Sequence, residues 1–282
     1  MKSSAKRTIF LSFLAVLLFG MPAAAQQAKL YNTAKQKLLD GKQIFSYTIG
    51  RLDTDLYCQV KPHYDFIWLE MQHSTMIWAD IEKMIAACPE VPGAIPMVRM
   101  PDEFESSIQH ATDIGALGII MPTVDDVAKA QATVRYAKYP FEGRRSLGGG
   151  QAPRIWGVNG INYRQTVNDN MMVVAMIETP TGVSNAYDIA RVPGIDVLLV
   201  ANTDLGNFSG FQQTDDGYQE LVKKIHDATL KAGKFVGATS PAYAKGRADS
   251  ADFRMFQNGQ SNDGYTPPGG AGGKKGGGKK KQ

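Results

Sequence analysis

Met171-Met-Val-Val-Ala-Met-Ile177-Glu178 and Ile195-Asp-Val-Leu-Leu-Val-Ala201-Asn-Thr-Asp204 each carry a short apolar, β-branched run up to a carboxylate. Runs of this length without polar alternation are predicted to be parallel strands covered on both faces by helices. Val183-Ser-Asn-Ala-Tyr-Asp-Ile-Ala190 between them is helix-like, so the unit reads strand, helix, strand, with one acid at each carboxyl end. In α/β folds that edge carries the chemistry. Taken singly, an acid just after a strand is often the N-cap of the next helix, and Asp204 fits that description too. Two acids in matching positions of successive units favour a shared site. Oxygen donors without a neighbouring Cys or His select Mg²⁺ or Mn²⁺ over zinc.

The same alternation extends in both directions. A leading helix is expected over Lys29 to Leu39, and strands at Ile44 to Ile49, Phe66 to Met71, Ala94 to Met100 and Gly118 to Thr123. Four more are expected at Met171 to Ile177, Val197 to Ala201, Phe235 to Ala238 and Phe253 to Phe256. Apolar residues at i, i+3, i+4 spacing predict helices at Ile77 to Cys88, Phe104 to Ile114, Val127 to Tyr136 and Tyr218 to Ala232. Eight such units predict a single-domain (β/α)8 TIM barrel, with an open doubly wound sheet as the alternative.

The chain has 282 residues, and its two ends are set apart. Lys2, Lys6 and Arg7 precede an apolar stretch from Ile9 to Phe19, and Ala23-Ala24-Ala25 supplies a small-residue cleavage signature. Residues 1–25 are therefore expected to be a secretory signal, and the protein exported to the periplasm or secreted, with no membrane span once the signal is removed. The barrel is expected over 26–259. From 260 to 282 a Gly/Lys-rich tail cannot bury apolar surface and is expected to be disordered. Without the signal's three cations and the tail's five lysines, the formal charge of +4 becomes a net acidic body, so nucleic-acid binding is not expected. Cys58 and Cys88 have no metal or redox spacing; a disulfide and two buried thiols remain equally open.

A second polar cluster comes from the early strands. Asp65-Phe-Ile-Trp-Leu-Glu70-Met-Gln-His73 ends in a carboxylate and an imidazole, and Pro96-Met-Val-Arg99-Met-Pro101 in a guanidinium. In a barrel these share one mouth with Glu178 and Asp204. A base, a cation and a divalent metal are what proton transfer next to a ketone requires: His has a suitable pKa, and the cations offset charge on the developing enolate oxygen. The expected reaction is metal-dependent aldol cleavage or addition. Its partners are a small 2-keto acid, pyruvate or similar, and an aldehyde.

These residues resemble the HpcH/HpaI aldolase/citrate lyase family, the class II 2-keto-acid aldolases of the 4-hydroxy-2-oxoheptanedioate aldolase type. The resemblance covers Ile44 to Phe256 and rests on Glu70-Met-Gln-His73, Val98-Arg99-Met-Pro101, Asp113-Ile-Gly-Ala116, Tyr139-Pro-Phe-Glu-Gly-Arg-Arg145, Ile177-Glu178-Thr179 and Asn202-Thr-Asp204-Leu205. It implies that His73 accepts the proton and Arg99 stabilises the transition state. Glu178 and Asp204 would hold the metal, and the Thr203 backbone would contact the keto acid. Asp113 matches an acid that raises the basicity of the histidine, although it falls before a strand; a neighbouring subunit of a homo-oligomer would have to bring it to the mouth.

Several positions depart from the family pattern. Glu70-Met71-Gln72-His73 stands where Asp-Gly-Glu-His is usual, Ala201-Asn202-Thr203-Asp204 where Gly-Pro-Ala-Asp is usual, and Met176 where a glutamine contacts substrate. No amphipathic segment follows Phe256 to form a last barrel helix. Gly143 to Asn170 is expected to be a mobile lid or rim, with Arg144, Arg145 and Arg154 either meeting an anionic substrate or solvated. Two other functions follow from these departures: an exported barrel that only binds a carboxylate or sugar acid, and a 3-hydroxyacyl thioester lyase.

Overall fold

A computed structural model of the chain describes residues 30–148, 150–157 and 163–268. The signal read over 1–25 and the tail from 269 onward lie outside the described residues. Eight strands, β1 (Ile44–Ile49), β2 (Phe66–Glu70), β3 (Ile95–Arg99), β4 (Gly118–Met121), β5 (Met172–Ile177), β6 (Val197–Val200), β7 (Phe235–Ala238) and β8 (Phe253–Phe256), follow one another around a closed barrel. All neighbours are parallel, and β8 closes on β1 through Ile44 opposite Met255 and Phe45 opposite Phe256, which excludes the open doubly wound sheet.

Helices α1 (Thr33–Leu39), α2 (Thr54–Val60), α3 (Trp78–Ala87), α4 (Glu105–Asp113), α5 (Val127–Ala137), α6 (Ala152–Trp156), α7 (Tyr163–Asn170), α8 (Pro180–Ala190), α9 (Asn202–Ser209), α10 (Asp216–Lys231) and α11 (Pro241–Ala244) lie between and before the strands. The expected strands all form, with ends differing by two residues or fewer. Two buried clusters express the period-2 alternation of the strands. Phe66, Trp68, Met97, Ile120, Val174, Met176 and Leu199 fill the barrel interior. Ile67, Leu69, Val98, Ile119, Val173, Ala175 and Leu198 face outward to the helices. Ala34 and Leu38 of α1 join the inner cluster and plug the amino-terminal end; Asn32, the cap of α1, donates to the carbonyls of Leu117 and Asn170 there.

The described parts of the segment from 143 to 170 are not a rim over the mouth. The segment connects α5 to β5, which places it on the amino-terminal side of the strands, and it forms α6 and α7. Gln151 donates to Ile114 O and Glu82 O, Trp156 to Gly115 O, and the buried Arg145 pairs with Asp113 at 2.6 Å. Arg144 pairs with Glu105 at 3.1 Å. Of the three arginines proposed to greet a substrate, Arg144 and Arg145 are thus committed to acids of α4.

No helix follows β8 among the described residues. Instead the chain from 257 to 268 returns along β1 as an extended strap. Ser46 donates to Gln257 O, and Asn262 donates to His63 O and Asp65. Tyr265 stacks on His63 with ring centroids 3.8 Å apart. Gly259 makes the approach possible: a Cβ there would sit 2.3 Å from Phe45 Cδ1. No helix among the described residues is long and apolar enough to cross a membrane.

Cys58 of α2 and Cys88, just after α3, form a disulfide across a sequence separation of 30. Closing a loop of that length is worth about 3–4 kcal/mol in the chain-entropy account. The Cys58→Ala/Cys88→Ala variant is therefore expected to unfold at lower urea by that margin, and the wild type to approach it under reductant. Equal stability of the two proteins in oxidising buffer would contradict this.

Candidate active site

The ionic residues at the mouth continue the inward rows of the barrel. Glu70 follows Phe66 and Trp68, Arg99 follows Ile95 and Met97, and Glu178 follows Met172, Val174 and Met176, each one period of two beyond an apolar inner residue. The rows put two acids and a guanidinium at the carboxyl ends of β2, β3 and β5. All three are buried: Glu178 is 2% exposed, Arg99 5% and Glu70 7%.

Glu70 organises the loop after β2. Its Oε1 accepts from the backbone N–H groups of Gln72 (2.9 Å) and His73 (3.1 Å), and its Oε2 from Trp68 Nε1 (3.0 Å) and Arg99 (3.3 Å). Glu70 thus positions His73 through the backbone and does not touch the imidazole. The His73 ring is exposed, makes no hydrogen bond among the described residues, and lines the mouth cavity.

Arg99 bridges the two halves of the mouth. One amino group faces Glu70, the other reaches Glu178 Oε1 at 3.5 Å, and its buried Nε has no partner among the described residues. The second oxygen of Glu178 accepts from Thr123 Oγ1 at 2.7 Å. Thr123 holds φ at +49°, an uncommon conformation for a β-branched residue, at the end of β4. Burial pushes the Glu178 carboxyl above the ordinary carboxylate range and the charge of Asp204 adds to this, while the Thr123 hydroxyl and Arg99 oppose it.

Neither strand-end acid is an N-cap. The caps of α8 and α9 are Thr179, which accepts from Gly182 N, and Ala201; Asp204 is the third residue of α9, half-buried beside the cavity. Asn202 anchors the start of α9 by donating to Tyr218 Oη and accepting from Thr239. Thr203 therefore stands in the first turn of a helix whose amino-terminal end opens on the mouth.

His73, Arg99, Met176, Thr203 and Asp204 line one cavity of about 960 Å³. Asp113 is not among them. It ends α4 at the opposite end of the barrel, where Arg145 and Gln109 hold both its oxygens, and within this chain it does not reach His73. Sequence reasoning passed over Thr123 and Trp68, the hydrogen-bond donors behind the two glutamates. Trp68 was detectable by its shared parity with Glu70, whereas nothing in the sequence marks Thr123.

Among the described residues no three His, Cys, Asp or Glu side chains converge as a metal cage. Glu178 and Asp204 supply two carboxylates, which suits an ion of the Mg²⁺ type that keeps water and substrate as its remaining ligands. Glu70, Glu178 and Asp204 outnumber Arg99, and burial disfavours the Glu178 anion, so the donor set fits a divalent cation.

The HpcH/HpaI aldolase/citrate lyase family model matches residues 58–245. A hydroxypyruvate/pyruvate aldolase of Chromohalobacter salexigens is 30% identical over 188 residues, 65% of this chain and 73% of its own. A 4-hydroxy-2-oxovalerate aldolase of Novosphingobium aromaticivorans is 33% identical over 179 residues, 63% of this chain and 68% of its own. The crystal structure of an HpcH/HpaI aldolase from Desulfitobacterium hafniense superposes with a TM-score of 0.69 at 26% identity, covering 79% of this chain and 88% of that one. With a closed parallel barrel, ionic residues at the strand ends and a family match over most of its described length, this chain belongs to the HpcH/HpaI aldolase/citrate lyase family.

Proposed function

We propose that the protein is a divalent-metal-dependent aldolase that forms or cleaves 4-hydroxy-2-keto acids, with pyruvate or a similar keto acid as the donor half. One observation carries this reading: His73, Arg99 and Asp204 border a single cavity, with Glu178 held behind them by Arg99 and Thr123. The imidazole of His73 takes the proton from the carbon next to the ketone. Arg99, whose Nε has no partner among the described residues, faces the negative charge that collects on the keto oxygen. The first turn of α9, around Thr203, offers backbone N–H groups to the donor carboxylate. Glu178 and Asp204 would hold Mg²⁺ or Mn²⁺, which when bound supplies Lewis-acid stabilisation at that oxygen. Export is part of the proposal; the apolar lead at Ile9 to Phe19 and the Cys58–Cys88 disulfide support it.

The test follows the loss of methyl protons from pyruvate in D₂O by NMR, which requires no knowledge of the aldehyde. The metal-loaded wild type is expected to accelerate exchange, and His73→Ala to slow it by about 10²- to 10⁴-fold. A wild type that exchanges no faster than buffer with either metal would refute the aldolase. If pyruvate still raised its melting temperature, the barrel would be a carboxylate-binding protein.

A further inference from the structure

The mouth cavity has two chemically different walls. Among the described residues Arg99 and Asp204 are its only formally charged lining residues, and with His73 they stand together on the side where the donor keto acid is placed. The facing wall comes from β1, the end of β7, the start of α11 and the strap after β8. It presents Thr48, Thr239, Ser240, Tyr243, Gln257 and Asn258, which are all neutral and all carry a hydroxyl or an amide.

Part of this wall is already braced. Thr48 Oγ1 donates to Asn258 Oδ1 at 3.1 Å, and Thr239 Oγ1 to Asn202 Oδ1 at 3.0 Å. Ser240 Oγ accepts from Ala242 N at 3.2 Å, which leaves its proton to be donated. Tyr243 and Gln257 line the cavity, and their side chains make no hydrogen bond among the described residues. A phenol, an amide and a hydroxyl proton are thus available to a bound molecule.

We infer that this wall receives an uncharged, hydroxylated aldehyde of short sugar type, in preference to an aldehyde that carries a second carboxylate. The inference rests on the aldolase reading of the same site. A carboxylate placed there would surrender water without gaining a cation. Arg99, already shared by Glu70 and Glu178, is taken by the donor's keto oxygen in the proposed reaction, and Arg51, which pairs with Asp53 at 3.5 Å, does not line the cavity. Each hydroxyl of a sugar aldehyde, in contrast, finds donors and acceptors at neutral groups, so selectivity arises from matching polar groups and from the missing charge partner together.

The experiment measures kcat/KM of the Mg²⁺- or Mn²⁺-loaded protein with pyruvate and each of three acceptors: glyceraldehyde, succinic semialdehyde and propanal. Glyceraldehyde is expected to exceed the semialdehyde by about tenfold or more. Tyr243→Phe and Gln257→Leu are each expected to shrink the glyceraldehyde-to-propanal ratio by about 2- to 10-fold, the effect of one lost hydrogen bond. A preference for the semialdehyde, or variants that lower glyceraldehyde and propanal equally, would overturn the inference. Proton exchange from pyruvate alone separates the two claims, since exchange with a semialdehyde preference refutes only the acceptor. If exchange is absent and the aldolase reading falls, binding of xylitol against succinate to the metal-loaded protein decides, and tighter succinate binding overturns the inference.

Discussion

Glu178→Gln is expected to abolish proton exchange from pyruvate, yet to leave the metal-free protein at least as stable as the wild type at neutral pH. The two effects have one cause. Glu178 is 2% exposed, and its burial makes the anion costly until a divalent ion neutralises it. A carboxyl whose pKa is higher in the folded than in the unfolded chain contributes stability while protonated. That contribution is complete below the unfolded value, about 4.5, and is lost as pH rises through the folded one. Wild-type protein in chelator should therefore lose stability between weakly acidic and neutral pH through this group, and Glu178→Gln should lose less. Glutamine keeps an acceptor for Thr123 but provides no charge for a metal. Urea unfolding in chelator at two pH values, with the exchange assay, measures both effects; exchange within about tenfold of wild type would sink the assignment of Glu178 as a metal ligand.

Arg99→Leu is expected to be the most destabilising change at the mouth. Its guanidinium lies between Glu70 and Glu178, two acids with almost no access to water, at 3.3 and 3.5 Å. Removing the shared cation leaves both uncompensated, a loss of about 3–5 kcal/mol. Lower pH should recover part of it, because the Glu178 carboxyl, which Arg99 holds down, protonates more readily without the cation. Exchange should disappear at every pH. Arg99→Lys keeps the charge but lacks the fork that reaches both acids, so intermediate stability and weak exchange are expected. Thermal unfolding at weakly acidic and neutral pH checks the pattern; a loss in Arg99→Leu that does not depend on pH would show that packing, not charge, is at stake.

The barrel was legible because its strands are buried on both faces, and the apolar runs at 171–177 and 195–201 follow from that burial. The ionic set at the mouth was legible for the same reason, since a charged residue ending such a run has to be at an edge. What the sequence hid was contact made by unremarkable residues. Thr123 is one threonine among many until the fold sets it against Glu178. The segment 143–170, rich in glycine and arginine, has the composition of a rim, but the parity of α/β connections sends it to the far end. The short helix α2 depends on Asp53 accepting from Leu56 N, a cap without a long apolar stripe behind it.

The strap between Gln257 and Pro268 has a consequence for how such a barrel diversifies. It seals the seam between the last strand and the first while contributing Gln257 and Asn258 to the neutral wall. Insertions or deletions after Phe256 would reshape that wall without disturbing the side chains that β2, β3 and β5 send inward. The choice of aldehyde can then drift by changes in the segment that follows the last strand, while the bond-making chemistry stays under separate selection.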